Sequence, residues 1–134
     1  MKLIKLALIS VFIFVINASY SEEKTIFIDE LFYGVWKGSD TNRHGQLEKW
    51  VQTLKPDHTF KVKISVYKNG KLVKNITEEG KWEIKDGIFH QQIIKKGKTV
   101  AHYKYFFEIK SLDKIYYNAI GYKHEFTDTK ISDL

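Results

Sequence analysis

The chain has no cysteine, one proline (Pro56) and one arginine (Arg43). Each scarcity removes a class of protein. Without cysteine there is no disulfide framework, no thiolate nucleophile and no thiolate metal site. Nor is there a cysteine to carry the lipid of a bacterial lipoprotein. Exported domains of this size often rely on disulfides, so stability here has to come from packing. One proline and no low-complexity stretch leave no linker and no second folded domain to expect. One arginine argues against a nucleic-acid face, which needs clustered basic residues interleaved with stacking aromatics. Long apolar runs are scarce as well. The run over residues 6–16 falls short of the roughly 20 residues that span a bilayer.

That run has a definite setting. Lys2 and Lys5 precede it, and Asn17-Ala18-Ser19-Tyr20-Ser21 follow. A basic start, an apolar middle and a small-residue exit make a secretory signal peptide. We expect residues 1–21 to be that signal, cut after Ala18, Ser19 or Ser21, with an uncleaved anchor as the alternative. The product, residues 22–134, is then periplasmic or secreted, with no transmembrane span after cleavage. It has the size of one small domain.

The 22 Lys plus Arg against 16 Asp plus Glu give a net charge of +6, and setting aside Lys2 and Lys5 leaves +4. The excess is lysine spread singly, the pattern of a solvated β-surface with blunted edges. Aromatic residues make up 15% of the chain, enough to fill a small core without disulfides because each buries a large area.

From residue 26 onward the chain alternates with a period of two. Phe60, Val62, Ile64 and Val66 point one way and the polar residues between them the other, the signature of a half-buried strand. Asn69-Gly70 follows, a strong signal for a type I′ hairpin. Further turn signals stand at Lys55-Pro56-Asp57-His58, Glu79-Gly80, Asp86-Gly87, Lys96-Gly97 and Leu112-Asp113-Lys114. Strands are expected near 33–38, 47–54, 59–67, 71–77, 80–85, 88–94, 99–109 and 115–124, with a short ninth around 125–130. The expected fold is all-β: an antiparallel up-and-down meander of about eight strands, closed into a small barrel because closure removes the edges. A short helical turn at 28–32 precedes the first strand and is expected to cap one end.

Three segments carry a resemblance. Gly34-Val35-Trp36, opening the first strand after the helical turn, resembles the Gly-x-Trp signature of the lipocalins and the wider calycin superfamily. Thr53-Leu54-Lys55-Pro56-Asp57-His58-Thr59-Phe60 resembles the hairpin of small bacterial lipocalin-like domains, with His58 where glycine is usual. Gly80-Lys81-Trp82-Glu83-Ile84, then Asp86-Gly87-Ile88, resembles their mid-barrel segment. The resemblance spans most of 22–134 and implies a lipocalin-like barrel in which Gly34, Trp36, Gly80 and Trp82 are structural. The family's late arginine, which packs on the tryptophan, has no counterpart; a lysine such as Lys123 is the expected substitute.

Chemistry finds little support. The five histidines (44, 58, 90, 102 and 124) lack metal-ligand spacing, although His90 and His102 stand on two arms of one hairpin, facing or one step off. The carboxylates Asp57, Asp86 and Asp113 are turn residues. No phosphate loop or nucleophile elbow is present. Neither an enzyme nor a cofactor is expected. Asn75-Ile76-Thr77 fits a glycosylation acceptor in a eukaryotic secretory route.

The aromatics are the functional lead. An eight-stranded barrel is just wide enough to be filled or to hold one small ligand, and the residue pattern leaves both open. If a pocket exists, Tyr105, Phe107, Tyr116 and Asn118 are expected to line it and bind a small apolar or amphipathic molecule. The alternative is a filled core and a protein partner gripped by loops 39–45 and 95–98, as in an exported inhibitor. A basic target is disfavoured there by like charge. A monomer is expected in either case.

Overall fold

The computed structural model describes residues 28–134. The segment expected to be a signal peptide, 1–21, lies outside the described residues. A single helical turn occupies 28–32. From Gly34 onward eight strands follow: β1 (Gly34–Thr41), β2 (Leu47–Leu54), β3 (Thr59–Lys68), β4 (Lys71–Lys85), β5 (Ile88–Lys95), β6 (Lys98–Ser111), β7 (Lys114–Ala119) and β8 (Glu125–Ser132). Each pairs antiparallel with its neighbour in sequence, and β8 returns to β1 to close the barrel.

The turns explain the meander. At Asn69-Gly70, Asp86-Gly87 and Lys96-Gly97 both residues take positive φ, between 51° and 77°, the backbone of a type I′ hairpin whose twist matches the strands it joins. The β2–β3 turn is held by Asp57, whose carboxylate accepts from the Thr59 amide at 2.9 Å and hydroxyl at 2.6 Å. His58 takes φ 63° there, the left-handed conformation in which glycine costs least.

Cross-strand register puts one set of residues inside. Trp36 faces Gln52, Gln52 faces Val62, Phe60 faces Gly80, and Trp82 faces Gln91. Phe89 faces Tyr105, Phe107 faces Tyr117, and Tyr117 faces Phe126. Toward the end of the barrel bearing the β2–β3, β4–β5 and β6–β7 turns the interior is filled. Trp36, Leu54, Trp82, Phe89, Ile115 and Tyr117 are all buried. Trp82 stacks on Phe89 at 6.0 Å, meets Tyr33 and His58 edge-on, and donates its indole hydrogen to the Lys55 carbonyl at 3.2 Å. Burying side chains this large contributes about 2–3 kcal/mol each.

Three expectations are corrected. Glu79-Gly80 is not a turn: β4 runs unbroken through it. Gly80 is required because a Cβ there would lie 1.8 Å from the Gln92 carbonyl oxygen, so the glycine serves a close backbone approach. The strand expected over 115–124 stops at Ala119, because Gly121 turns the chain at φ 97°; the ninth piece is then β8. The cation over Trp36 is Lys130, with Nζ 5.2 Å from the ring centroid. Lys130 faces Trp36 in the closing β1–β8 ladder, whereas Lys123 lies in the β7–β8 loop.

Candidate functional site: an aromatic cavity at the open end of the barrel

The other end of the barrel, bearing the β1–β2 and β7–β8 loops, is not filled. A cavity of about 1030 Å³ occupies it, at the upper limit for small-molecule sites. Its apolar walls come from inward positions of neighbouring strands: Trp50 of β2, Phe60 of β3, Ile93 of β5, Tyr105 of β6 and Phe126 of β8. Tyr105 packs edge-on against Phe126 at 5.6 Å, and the Tyr122 hydroxyl donates to that of Tyr105 at 3.3 Å. Burial, then the bond to Tyr122, raises the Tyr105 hydroxyl pKa well above the tyrosine range.

A polar chain runs beneath these rings. Asp128 of β8 is completely buried. Its Oδ1 accepts from Trp50 Nε1 at 2.8 Å and its Oδ2 from Gln52 Nε2 at 3.0 Å. Gln52 Oε1 accepts in turn from Gln91 Nε2 at 2.9 Å. Desolvation pushes the Asp128 pKa up to about 6, against the lowering effect of the two donors. Room for this arrangement is made in β1. A Cβ on Gly38 would come within 2.5 Å of the Trp50 ring and still closer to Asp128. The buried Tyr117 hydroxyl has no hydrogen-bond partner among the described residues.

The rim is polar and braced. Asp40 Oδ2 meets His124 Nδ1 at 3.1 Å, tying β1 to the β7–β8 loop. Asn42 organises the β1–β2 loop. Its Oδ1 accepts from the His44 and Gln46 amides, and its Nδ2 donates to Glu48 at 3.1 Å. That loop is shorter than expected, since β1 continues to Thr41.

Of the four residues expected to line a pocket, Tyr105 borders the cavity. Phe107 shares its face but lies one step nearer the filled end, half-buried against Tyr117 across the ladder. Tyr116 and Asn118 stand on the outer face, because Ile115, Tyr117 and Ala119 take the inner one. The Tyr116 hydroxyl donates to Glu125 at 2.6 Å. The structural glycines and tryptophans fall in the strands: Gly34 adopts φ 137°, with the Ser132 carbonyl 2.9 Å from where a Cβ would sit.

Sequence reading did not single out Trp50, Gln52, Gln91 or Asp128. A signal existed for Asp128. It lies two residues from Phe126 and two from Lys130, so period-two alternation puts all three on one face, and the pairing of Phe126 with Tyr117 makes that face the inner one.

On the outer wall, His90 Nδ1 and His102 Nε2 lie 3.0 Å apart and share a hydrogen bond. They stand one step off, since His90 pairs with Lys104 and Gln92 with His102. Partial desolvation first, then the charges of His90 and Lys104, hold the His102 pKa below its ordinary value. Among the described residues no group of three or more His, Asp or Glu side chains is placed to hold a metal ion. No described helix is long and apolar enough to cross a membrane.

No protein-family model matches the chain, and no curated protein is significantly similar to it. The closed antiparallel barrel is compatible with a lipocalin-like fold.

Proposed function

We propose that this chain is an exported lipocalin-like barrel that holds one small apolar or amphipathic molecule and performs no chemistry on it. The observation that carries the reading is the cavity at the open end, with aromatic walls over a hydrogen-bonded chain of Trp50, Asp128, Gln52 and Gln91. Apolar walls with a few fixed polar groups are what small-molecule sites use for affinity and orientation. Trp36 and Trp82 brace the opposite end and leave the cavity free.

Native mass spectrometry of protein purified without denaturation tests it. A co-purifying small molecule released on unfolding supports the reading. A bare mass, with no thermal shift across a panel of lipids and aromatic amphiphiles, overturns it. N-terminal sequencing of protein from the extracellular or periplasmic fraction tests export: the chain is expected to begin at 19, 20 or 22.

A second reading, partner binding through the loops, is favoured by one observation. Leu72 and Val73 beside the β3–β4 turn, and Val100 beside the β5–β6 turn, are more than half exposed.

A further inference from the structure

The charge of the cavity wall is opposite to that of the protein. The chain carries 22 Lys plus Arg against 16 Asp plus Glu, yet every charged strand residue bordering the cavity is acidic: Asp40 of β1, Glu48 of β2, Glu78 of β4 and Glu125 of β8. The two full cations at its edge, Arg43 and Lys123, sit on the β1–β2 and β7–β8 loops and are exposed. A fifth carboxylate, Asp128, lies under the floor.

Two of the inward carboxylates have partners, Asp40 with His124 and Glu48 with the Asn42 amide, while Glu125 at the rim turns to the outer face and accepts from the Tyr116 hydroxyl. Glu78 is different. It forms no ion pair or side-chain hydrogen bond among the described residues. It faces Val62 on the inner side of β4, two residues beyond the Gly80–Ile93 pair where the β4–β5 ladder ends. Its charge is felt across that opening by Tyr103, whose hydroxyl pKa is raised first by desolvation and then by Glu78. Tyr103, Tyr105 and Tyr122 border the same cavity. Electron-rich ring faces attract cations, more strongly where water is excluded. An unpaired carboxylate beside such rings adds a charge to the same preference.

We propose that the cavity selects an organic cation: an ammonium group on an aromatic or other apolar body, the body among the rings and the charge toward Glu78. The inference rests on the carrier reading above and names the ligand class of that site. An anionic amphiphile such as a fatty acid meets the opposite arrangement, because the full cations bordering the cavity, Arg43 and Lys123, stand on the exposed rim loops.

Three indoles of nearly one shape separate these cases: tryptamine (cation), tryptophol (neutral) and indole-3-acetate (anion). Each competes against Nile red, a neutral apolar dye, on the whole protein at pH 7.5 and low salt. Tryptamine is expected to displace the dye at about tenfold lower concentration than indole-3-acetate, with tryptophol between, as one charge contact predicts. Glu78→Gln is expected to reduce that preference severalfold, with a circular dichroism spectrum and melting temperature like the parent's showing that the variant is folded. If Nile red binds but tryptamine competes no better than the other two, the cation assignment falls and the carrier reading stands. If neither the dye nor any indole binds, both fall.

Discussion

Asp128 offers the sharpest test of the cavity floor. It is a buried carboxylate with no cationic partner among the described residues, held by Trp50 Nε1 and Gln52 Nε2, with a pKa raised from 3.8 to about 6. A raised carboxylate reverses the usual acid dependence. Between pH 3.8 and 6 the folded protein binds a proton that the unfolded chain has released, so stability falls as pH rises. The contribution is fully present below the unfolded value and is lost as pH passes through about 6. Two pKa units correspond to about 3 kcal/mol. Asp128→Asn removes the titration and keeps the shape. The amide oxygen still accepts from Trp50, and turning the Gln52 and Gln91 amides lets the new NH₂ donate to Gln52 and Gln52 donate to Gln91. Urea unfolding of both proteins from pH 4 to 7.5 measures the difference between them, in which every other titrating group, His102 included, cancels. The variant is expected to gain on the parent by about 2 kcal/mol across that range, part of the full contribution being already lost at pH 4. Parallel curves, or a parent that gains on the variant as pH rises, would show that Asp128 is not a desolvated carboxylate and that the floor is wetter than the hydrogen-bond chain implies.

Tyr117→Phe removes a buried hydroxyl without a partner among the described residues. Such a group costs about 1–3 kcal/mol to leave unpaired, so the variant is expected to equal or exceed the parent in thermal stability, and a loss above 1 kcal/mol would reveal a bound water or ligand. Gly80→Ala drives a methyl into the Gln92 carbonyl; soluble expression or hydrogen exchange is expected to show the β4–β5 ladder broken, while the same change at Gly45, where a Cβ meets nothing, leaves the ladder intact. Lys130→Met is expected to cost about 0.5–1 kcal/mol by loss of the cation over Trp36, read by denaturant unfolding. Lys123→Met, the change suggested by the family resemblance, is expected to be neutral in the same assay.

Much of the fold was legible in the residues because period-two alternation and Asn-Gly or Asp-Gly turns are local signals. Strands β2, β3 and β5 fall within a residue of their expected ends. The errors share a cause. At Glu79-Gly80 the local signal is that of a turn, but glycine also permits the close approach of another strand, and which use applies depends on a partner thirteen residues away at Ile93. At 115–124 a continuous aromatic alternation masked the turn at Gly121. Lys130 was passed over for Lys123 because the closing β1–β8 ladder, the longest-range pairing in the chain, decides which lysine reaches Trp36.

The site was harder to read for a reason specific to barrels. Along one strand, alternation says that two faces exist without saying which is enclosed. On β7, Tyr116 and Tyr117 are adjacent tyrosines with equal claims, and only pairing of Tyr117 with Phe107 on one side and Phe126 on the other assigns the interior to it. Once β7 is assigned, the ladders fix the parity of every other strand, and the inward carboxylates separate from the outward lysines. Glu78 and Glu79 make the same point: neighbours of identical chemistry, one bordering the cavity and one exposed. Net charge averages over both faces, so a basic chain can enclose an acidic cavity with no trace of it in the composition. The charge that a ligand meets is therefore a property of register: a slip of β4 against β3 that set Thr77 opposite Val62 in place of Glu78 would abolish the proposed preference.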